Sequence, residues 1–337
     1  MNFIKNHKVL CSVLLVFVLV VGLAFGFVWN KFNLIQYDDG TTAGEVSGDL
    51  DDEDVLSKED LEGLVMIDGE PVIPDMKIYD DKNVVNILLI GTDERTKEFN
   101  TNARSDSMMI ISINKEKDTV KLVSLERGMG VPVLEGQYKG QYDWLTHIFR
   151  YGGADLLMKT VSTCFRVNVD HYVRVNFNTL TQIVDSIGGV DITLTAEEAK
   201  YMNDKGYDVK VGSNRFDGKE ALLYSRIRKI DSDWNRIKRQ RNVIQSAFLG
   251  AKGLGLIELN GVVNDVLPLV QTNLTKGEIA ALLIETPSLV GKKLDQMTIP
   301  EKGTYGGMIG MGGRSLFAVD FTENAKILRN FLYDTNE

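Results

Sequence analysis

Twenty consecutive residues from Val9 to Val28 carry no charge, with only Cys11 and Ser12 as mildly polar interruptions. As a helix they would extend about 30 Å, the thickness of a bilayer's hydrocarbon core. The run continues into Trp29, Asn30 and Lys31, a poor site for signal cleavage and a good one for an interfacial anchor. The pattern therefore predicts a transmembrane helix over 9–28. Lys5 and Lys8 precede it, whereas Asp38, Asp39, Glu45, Asp49 and Asp51–Asp54 follow. The positive-inside rule then predicts a cytoplasmic N-terminus (1–8) and a bacterial cytoplasmic-membrane protein, single-pass, with its C-terminal domain outside.

Residues 29–80 are acidic and sparse in large apolar side chains, the pattern of an extracellular linker, with a short docking segment at 61–80 marked by Pro71 and Pro74. From residue 81 the apolar positions become regular. Val84–Ile90 is a nearly continuous apolar run, as in a strand buried on both faces. Met108–Ile113 and Thr119–Leu125 flank a polar turn and predict a hairpin. Helical spacing runs over Ala154–Phe165 after Gly152–Gly153, over Thr179–Ile187 before Gly188–Gly189, and over 219–225, 236–249, 254–267, 275–283 and 324–332. Strands are expected at His171–Val175, Val190–Leu194 and within 289–298. Interspersed strands and helices predict a three-layer α/β/α domain over 81–337 with a central mixed sheet, preceded by the one transmembrane helix. The glycines at 303, 306, 307, 310, 312 and 313 read as loop.

Composition narrows the chemistry. The 337 residues carry a formal charge of −9 and only two cysteines, Cys11 in the apolar run and Cys164 in an apolar setting. A disulfide framework and a four-cysteine zinc site are excluded within one chain, and Cys164 reads as a buried free thiol. Acidity and an external domain argue against a nucleic-acid partner. The three histidines, His7, His147 and His171, form no compact metal motif, and no P-loop, dinucleotide fingerprint or nucleophile elbow occurs.

Charges at strand junctions are the informative ones. Asp93 and Arg95 follow the first buried strand, Arg104 and Asp106 precede the second, and Glu126 and Arg127 follow the third. Arginine forks suit phosphate, and carboxylates reach phosphate through a bound Mg²⁺; ordinary surface ion pairs would give the same pattern. A second cluster contains Arg226, Arg228, Asp231, Asp233, Arg236, Lys238, Arg239, Gln240 and Arg241. It suits phosphorylated lipid intermediates, lipid headgroups or polyanionic polymer, or is simply a solvated helix face.

The segments NILLIGTDERTKEFNTNARSDSMMIISINKEKDTVKLVSLER, YGGADLLMKTV, VDHYVRVNFNTLTQIVDSIGGVDI and GKEALLYSRIRKIDSDWNRIKRQRNVI resemble the LytR–CpsA–Psr family of cell-wall glycopolymer ligases. The resemblance implies an α/β/α fold holding a polyprenyl pyrophosphate in a long hydrophobic pocket. It implies transfer of the attached anionic glycopolymer, of teichoic acid or capsule type, to peptidoglycan through a new phosphodiester. Mg²⁺ is implied at the equivalents of Asp93 and Asp106. Arg95, Arg104, Arg127, Arg228 and Arg236 match arginines around the phosphates, Asp233 an acidic residue near them, and Gln240 a polar motif residue; Arg226 lies in the same motif. Asp106 is a candidate for metal binding or for base duty, with Arg104 and Arg127 beside it; the sequence leaves these roles open. The implied partners are the polyprenyl-pyrophosphate-linked glycopolymer, peptidoglycan and membrane lipid, with pyrophosphatase action as the side reaction when water replaces the acceptor. One departure stands out. Where the family usually has Pro-Arg-Asp, this chain has Glu126-Arg127-Gly128. Loss of that aspartate favours the alternative reading, an extracellular receptor or scaffold that binds polyprenyl phosphates or wall polymer without turnover.

Overall fold

The computed structural model describes residues 36–37, 56, 58–94, 99, 103–228, 230–250, 261–262, 265–285 and 292–336. A two-residue strand β1 (Gln36–Tyr37) and a one-turn helix α1 (Lys58–Leu61) precede the first long strand, β2 (Val84–Thr92). β3 (Ser105–Asn114) and β4 (Thr119–Leu125) form the expected hairpin, antiparallel from Met108↔Leu125 to Asn114↔Thr119. The short strands β5 (Gly130–Pro132) and β6 (Tyr142–Trp144) pair with each other and lead into helix α2 (Leu145–Phe165). α2 starts well before Ala154: Gly152 and Gly153 have non-helical angles and join two helical pieces at a kink, where the sequence suggested that they precede a single one.

β7 (His171–Asn176) runs directly into α3 (Phe177–Ser186), whose first turn is capped by the Asn176 side chain accepting from Thr179 N at 3.0 Å. β8 (Val190–Leu194), α4 (Ala196–Asp204), β9 (Gly212–Phe216) and α5 (Gly218–Ser225) follow. Capping boxes, Thr195 with Glu198 and Asp217 with Glu220, start α4 and α5. The long helix α6 (Asp233–Gly250) leads on to β10 (Gln271–Thr272), α7 (Lys276–Glu285), β11 (Asp295–Ile299), β12 (Tyr305–Ile309), β13 (Ser315–Val319) and α8 (Phe321–Tyr333). Most of the helix expected over 254–267 lies outside the described residues.

The sheet order is β1-β10-β7-β2-β3-β4-β11, with β2–β7 and β4–β11 parallel and β2–β3 and β3–β4 antiparallel, so the sheet is mixed as expected. Side-chain alternation assigns its two faces. Leu88, Ile90, Met108, Ile110 and Tyr172 pack with α2 and α8 in the main core. Leu89, Met109, Ile111 and Leu122 turn the other way, toward Ile244 and Phe248 of α6. A smaller core joins α3, α4 and α5 to the β8–β9 hairpin through Val184, Ile192, Met202, Phe216 and Tyr224.

Two expectations are corrected. The glycines at 306 and 307 are strand, not loop. A Cβ on Gly306 would lie 2.5 Å from Val65 O, and one on Gly307 2.6 Å from Met66 Sδ. Their absence lets the 61–80 segment dock by backbone, Ile67 N donating to Gly307 O at 2.7 Å and Gly307 N to Val65 O at 2.9 Å. The second correction is larger. The structure describes no preceding transmembrane helix and gives no support to the single-pass membrane localisation built on it: no helix among the described residues is long and apolar enough to cross a membrane. Residues 9–28, where it was expected, lie outside the described residues. The longest described helix, α2, is unsuitable because it is broken at Gly152–Gly153 and carries Arg150, Asp155 and Lys159.

Candidate functional site

Hairpin register builds the centre of the site. With Met108 opposite Leu125, Asp106 falls opposite Arg127, and Arg127 Nη1 donates to Asp106 Oδ1 at 3.1 Å. The other side of the guanidinium meets the start of α6, where Asp233 Oδ2 accepts from Arg127 Nε at 3.3 Å. One helical turn later Arg236 Nη2 donates to the same Asp233 oxygen at 3.0 Å and to the Asp106 carbonyl at 3.3 Å. Arg228 Nε approaches Asp233 Oδ1 at 3.9 Å from the rim and is half exposed. Asp106 and Arg127, from two of the strand junctions, therefore interlock with Asp233 and Arg236 in one network and are not separate surface pairs.

Asp93 and Arg104 form a second pair beside it. A register shift at Gly91/Thr92 ends the β2–β3 ladder, and Asp93 then accepts from Arg104 N at 3.1 Å and from Arg104 Nε at 3.4 Å. Both side chains are partly exposed. Arg95 lies outside the described residues.

Glu126 is the least expected member. Its side chain is fully buried, Oε1 accepts from Gly128 N at 3.1 Å, and Oε2 has no hydrogen-bond partner among the described residues. Burial, followed by repulsion from Asp233, raises its pKa well above the ordinary carboxylate range, against the weaker pull of Arg127 and Arg236. Glu126 therefore holds its proton more tightly than an ordinary carboxyl, next to the Asp233 side chain that accepts from Arg127 and Arg236. Burial alone would depress Arg127, but the fields of Asp233 and then Asp106 outweigh it and hold the guanidinium more firmly charged. Arg236 is shifted downward by burial and then by Arg127, with Asp233 opposing. The two buried arginines are balanced by Asp106 and Asp233, leaving Arg228 as a cation at the rim.

Against this network opens a cavity of about 380 Å³ between the sheet and the helices α3, α5 and α6. Leu89, Val175, Leu180, Ile183, Leu222 and Ala247 make its walls apolar, while Asp106, Ser107, Arg226 and Gln240 bring polar groups to it. The Arg226 guanidinium stacks 4.3 Å from the centre of the Phe177 ring. The helical repeat of α6 explains the division of the basic cluster. Asp233, Arg236, Gln240, Val243 and Ala247 share the face that meets the network and the cavity. Arg239 is instead tied to Glu198 and Asp231, and Arg241 donates to Met297 O at 3.0 Å, so both brace the fold. Helix α2 is on the opposite side of the sheet.

Several parts escaped the sequence reading. Arg174 on β7 is buried, pairs with Glu94 and lies 4.7 Å from the rings of Phe99 and Phe149, fixing the chain after β2. Its placement in an alternating strand was the available signal. His147 Nδ1 lies 2.9 Å from Asp143 Oδ2 in the core, and Cys164 is buried and free, as its apolar setting implied. Gly128 is the clearest steric case: a Cβ there would sit 2.3 Å from Leu56 Cδ2, and Leu56 is itself buried.

A model of the LytR_cpsA_psr family matches residues 55–330. Among curated relatives, the polyisoprenyl-teichoic acid–peptidoglycan teichoic acid transferase TagU of Oceanobacillus iheyensis is 35% identical over 216 residues, 61% of this chain and 64% of that protein. TagU of Bacillus cereus is 34% identical over 201 residues, 58% and 62% of the two chains. The chain thus spans 62–64% of the length of these relatives. Among solved structures, protein gbs0355 of Streptococcus agalactiae superposes with a TM-score of 0.63 at 25% identity, covering 76% of this chain and 89% of that one. TagT bound to LI-WTA superposes with a TM-score of 0.59 at 27% identity, covering 78% and 97%.

Proposed function

Since the chain belongs to the LytR–CpsA–Psr family, we propose that it transfers an anionic glycopolymer from a polyprenyl-pyrophosphate carrier to a peptidoglycan hydroxyl, forming a phosphodiester. One observation carries this reading: an apolar cavity of about 380 Å³ opens directly beside the Asp106–Arg127–Asp233–Arg236 network. A prenyl chain needs an apolar enclosure, and a pyrophosphate needs fixed cations at its mouth. The names of the TagU relatives and of the TagT complex support a polymer of teichoic acid type.

The chemistry follows from the charges. The acceptor oxygen attacks the polymer-bearing phosphorus, the bridging P–O bond breaks, and polyprenyl phosphate leaves with the electron pair. Arg226 and Arg228 are the exposed cations positioned to receive the phosphates. Arg127 and Arg236 are held rigid by Asp233 and anchor the site's polar wall without reorganising as charge develops. Asp106 lies at the cavity with Oδ1 committed to Arg127, and it is the carboxylate placed to take the acceptor proton or to hold a metal.

Asp93 and Asp106 fit Mg²⁺ as a donor set: both are oxygen ligands and partly exposed. Mg²⁺ commonly uses one or two carboxylates, with phosphate oxygens and water completing the shell. When bound it would neutralise charge on the pyrophosphate. The absence of three clustered ligands among the described residues is compatible with such a site.

A second reading, binding without turnover, draws on Gly128, where Leu56 fills the space in which an aspartate side chain would begin. The deciding assay incubates the chain with a lipid-pyrophosphate-linked saccharide, peptidoglycan oligomers and Mg²⁺ and follows products by mass spectrometry. Transfer yields a phosphodiester-linked saccharide that is absent with Asp106→Ala. Saturable lipid binding with neither transfer nor hydrolysis overturns the enzyme reading in favour of the receptor.

A further inference from the structure

The arginines of the site are held in different ways. Arg127 and Arg236 meet Asp233, Arg228 approaches the same carboxylate, and Arg104 pairs with Asp93. Arg226 has no carboxylate partner among the described residues; its guanidinium lies over the Phe177 ring, 4.3 Å from the centre. The difference matters for a phosphate ligand. A carboxylate neutralises the arginine it holds and occupies its N–H donors. A ring face attracts the cation through its quadrupole, carries no net charge and takes none of the in-plane donors. Arg226 therefore keeps its whole charge and its fork of donors, and it is exposed at a cavity whose lining it shares with Phe177.

Helix pairing fixes the contact. α5 starts tightly against α3: Gly218 N donates to Asp185 Oδ1 at 2.8 Å, and a Cβ on Gly218 would lie 2.2 Å from Thr181 O. From there α5 runs back along α3, so that its C-cap residue, Arg226, arrives beside Phe177, the first residue of α3. Arg226 N donates to Leu223 O at 3.1 Å. On the other helix, Asn176 Oδ1 accepts from Thr179 N and from Thr179 Oγ1, both at 3.0 Å, and so holds the turn that carries Phe177. Both backbones are thus set before any ligand arrives. The ring supplies the remaining constraint, on a long side chain that would otherwise sample many rotamers in solvent.

We propose that Phe177 is a positioning residue of the transfer site, holding Arg226 so that its fork meets the prenyl-side phosphate. The inference rests on the transfer reading and adds to it the phosphate that Arg226 serves. Phe177 belongs to the cavity wall, so the group bound at Arg226 is the one joined directly to the chain inside the cavity, and the polymer-side phosphate lies further out. The prenyl-side phosphate is the leaving group. When its bridging P–O bond breaks it keeps the electron pair, and its negative charge rises toward the transition state. A cation fixed in place beforehand stabilises that charge without reorganising. An Arg226 released from the ring has to be ordered by the substrate instead, at a cost in affinity for the phosphate end.

Farnesyl pyrophosphate and farnesol separate head from tail, because they share a chain and only one carries phosphate. Their affinities for the full chain are measured by isothermal titration calorimetry in Mg²⁺ buffer. Phe177→Leu keeps an apolar wall and removes the ring. It should weaken farnesyl pyrophosphate about three- to tenfold and leave farnesol within about twofold, and Phe177→Tyr should restore the wild-type values. In an Arg226→Gln background Phe177→Leu should have no further effect on the pyrophosphate, since the ring acts through the arginine. Farnesol affinity also verifies that a variant retains its cavity, and Phe177→Met replaces Phe177→Leu where it does not. Unchanged pyrophosphate affinity in Phe177→Leu, an equal loss of both lipids in both apolar variants, or full additivity with Arg226→Gln overturns the proposal while the transfer reading stands. Wild-type protein that binds neither lipid overturns the transfer reading itself, and this proposal with it.

Discussion

Replacing Glu126 by glutamine tests the electrostatic reading of the site. The substitution keeps shape and the acceptor for Gly128 N, held at 3.1 Å, and removes only the capacity to ionise. In the folded chain burial and Asp233 keep Glu126 protonated well above its ordinary value of 4.5. The unfolded chain ionises near that ordinary value. Above it the unfolded state therefore binds fewer protons than the folded one, and stability falls as pH rises. Each pH unit over which the folded carboxyl stays protonated lowers the folding constant about tenfold. The loss ends when the folded carboxyl itself ionises. The variant has no such loss, so it should match the wild type below about pH 4 and become progressively more stable than it toward neutrality. Urea midpoints from pH 4 to 8 measure the difference. Curves that remain parallel, or a glutamine variant less stable at pH 7 than the wild type, would show instead an ionised Glu126 paired with the arginines.

Three further outcomes follow from the same geometry. Asp233→Asn removes the anion shared by Arg127 and Arg236 and should cost about 3–5 kcal/mol in chemical denaturation, as for a broken buried ion pair. Gly128→Ala drives a methyl into Leu56 and should cost about 1–3 kcal/mol. Combined with Leu56→Ala, it should cost less than the two single losses summed, which a double-mutant cycle measures. Ala247→Trp fills the apolar cavity and should weaken binding of a polyprenyl pyrophosphate by about tenfold or more, with little change in thermal midpoint; unchanged affinity in a fluorescence titration counts against a prenyl chain in that space.

What the sequence disclosed depended on how each feature is encoded. β2 and the β3–β4 hairpin were visible because apolar runs and polar turns are local signals. The charges of Asp106, Arg127, Asp233 and Arg236 were visible because they interrupt otherwise ordered segments, but their connection was not, since Arg127 and Asp233 are separated by 106 positions. Glu126 was read as one carboxylate among several, because nothing local tells an inward rotamer from an outward one. β12 was missed because Gly306 and Gly307 suggest a turn, although their need for small size comes from Val65 and Met66, far away in the chain. The cavity walls were hidden for a simpler reason: Leu180, Ile183 and Leu222 are the residue types of any core, and only the packing leaves a space between them.

Strand β2 is a partition between two compartments with different tasks. Leu88 and Ile90 belong to the solid interior, while the alternate residues Leu89 and Gly91 border the cavity. A single inserted or deleted residue in this strand would exchange the two sets, putting cavity surface into the core and core surface into the cavity. Gly91, whose Cβ would lie 3.0 Å from Ser107 Cβ, would then have its place taken by a residue with a side chain. Length variation along this lineage should therefore collect in the connections on either side of β2, and the strand itself should change only by substitution, one compartment at a time.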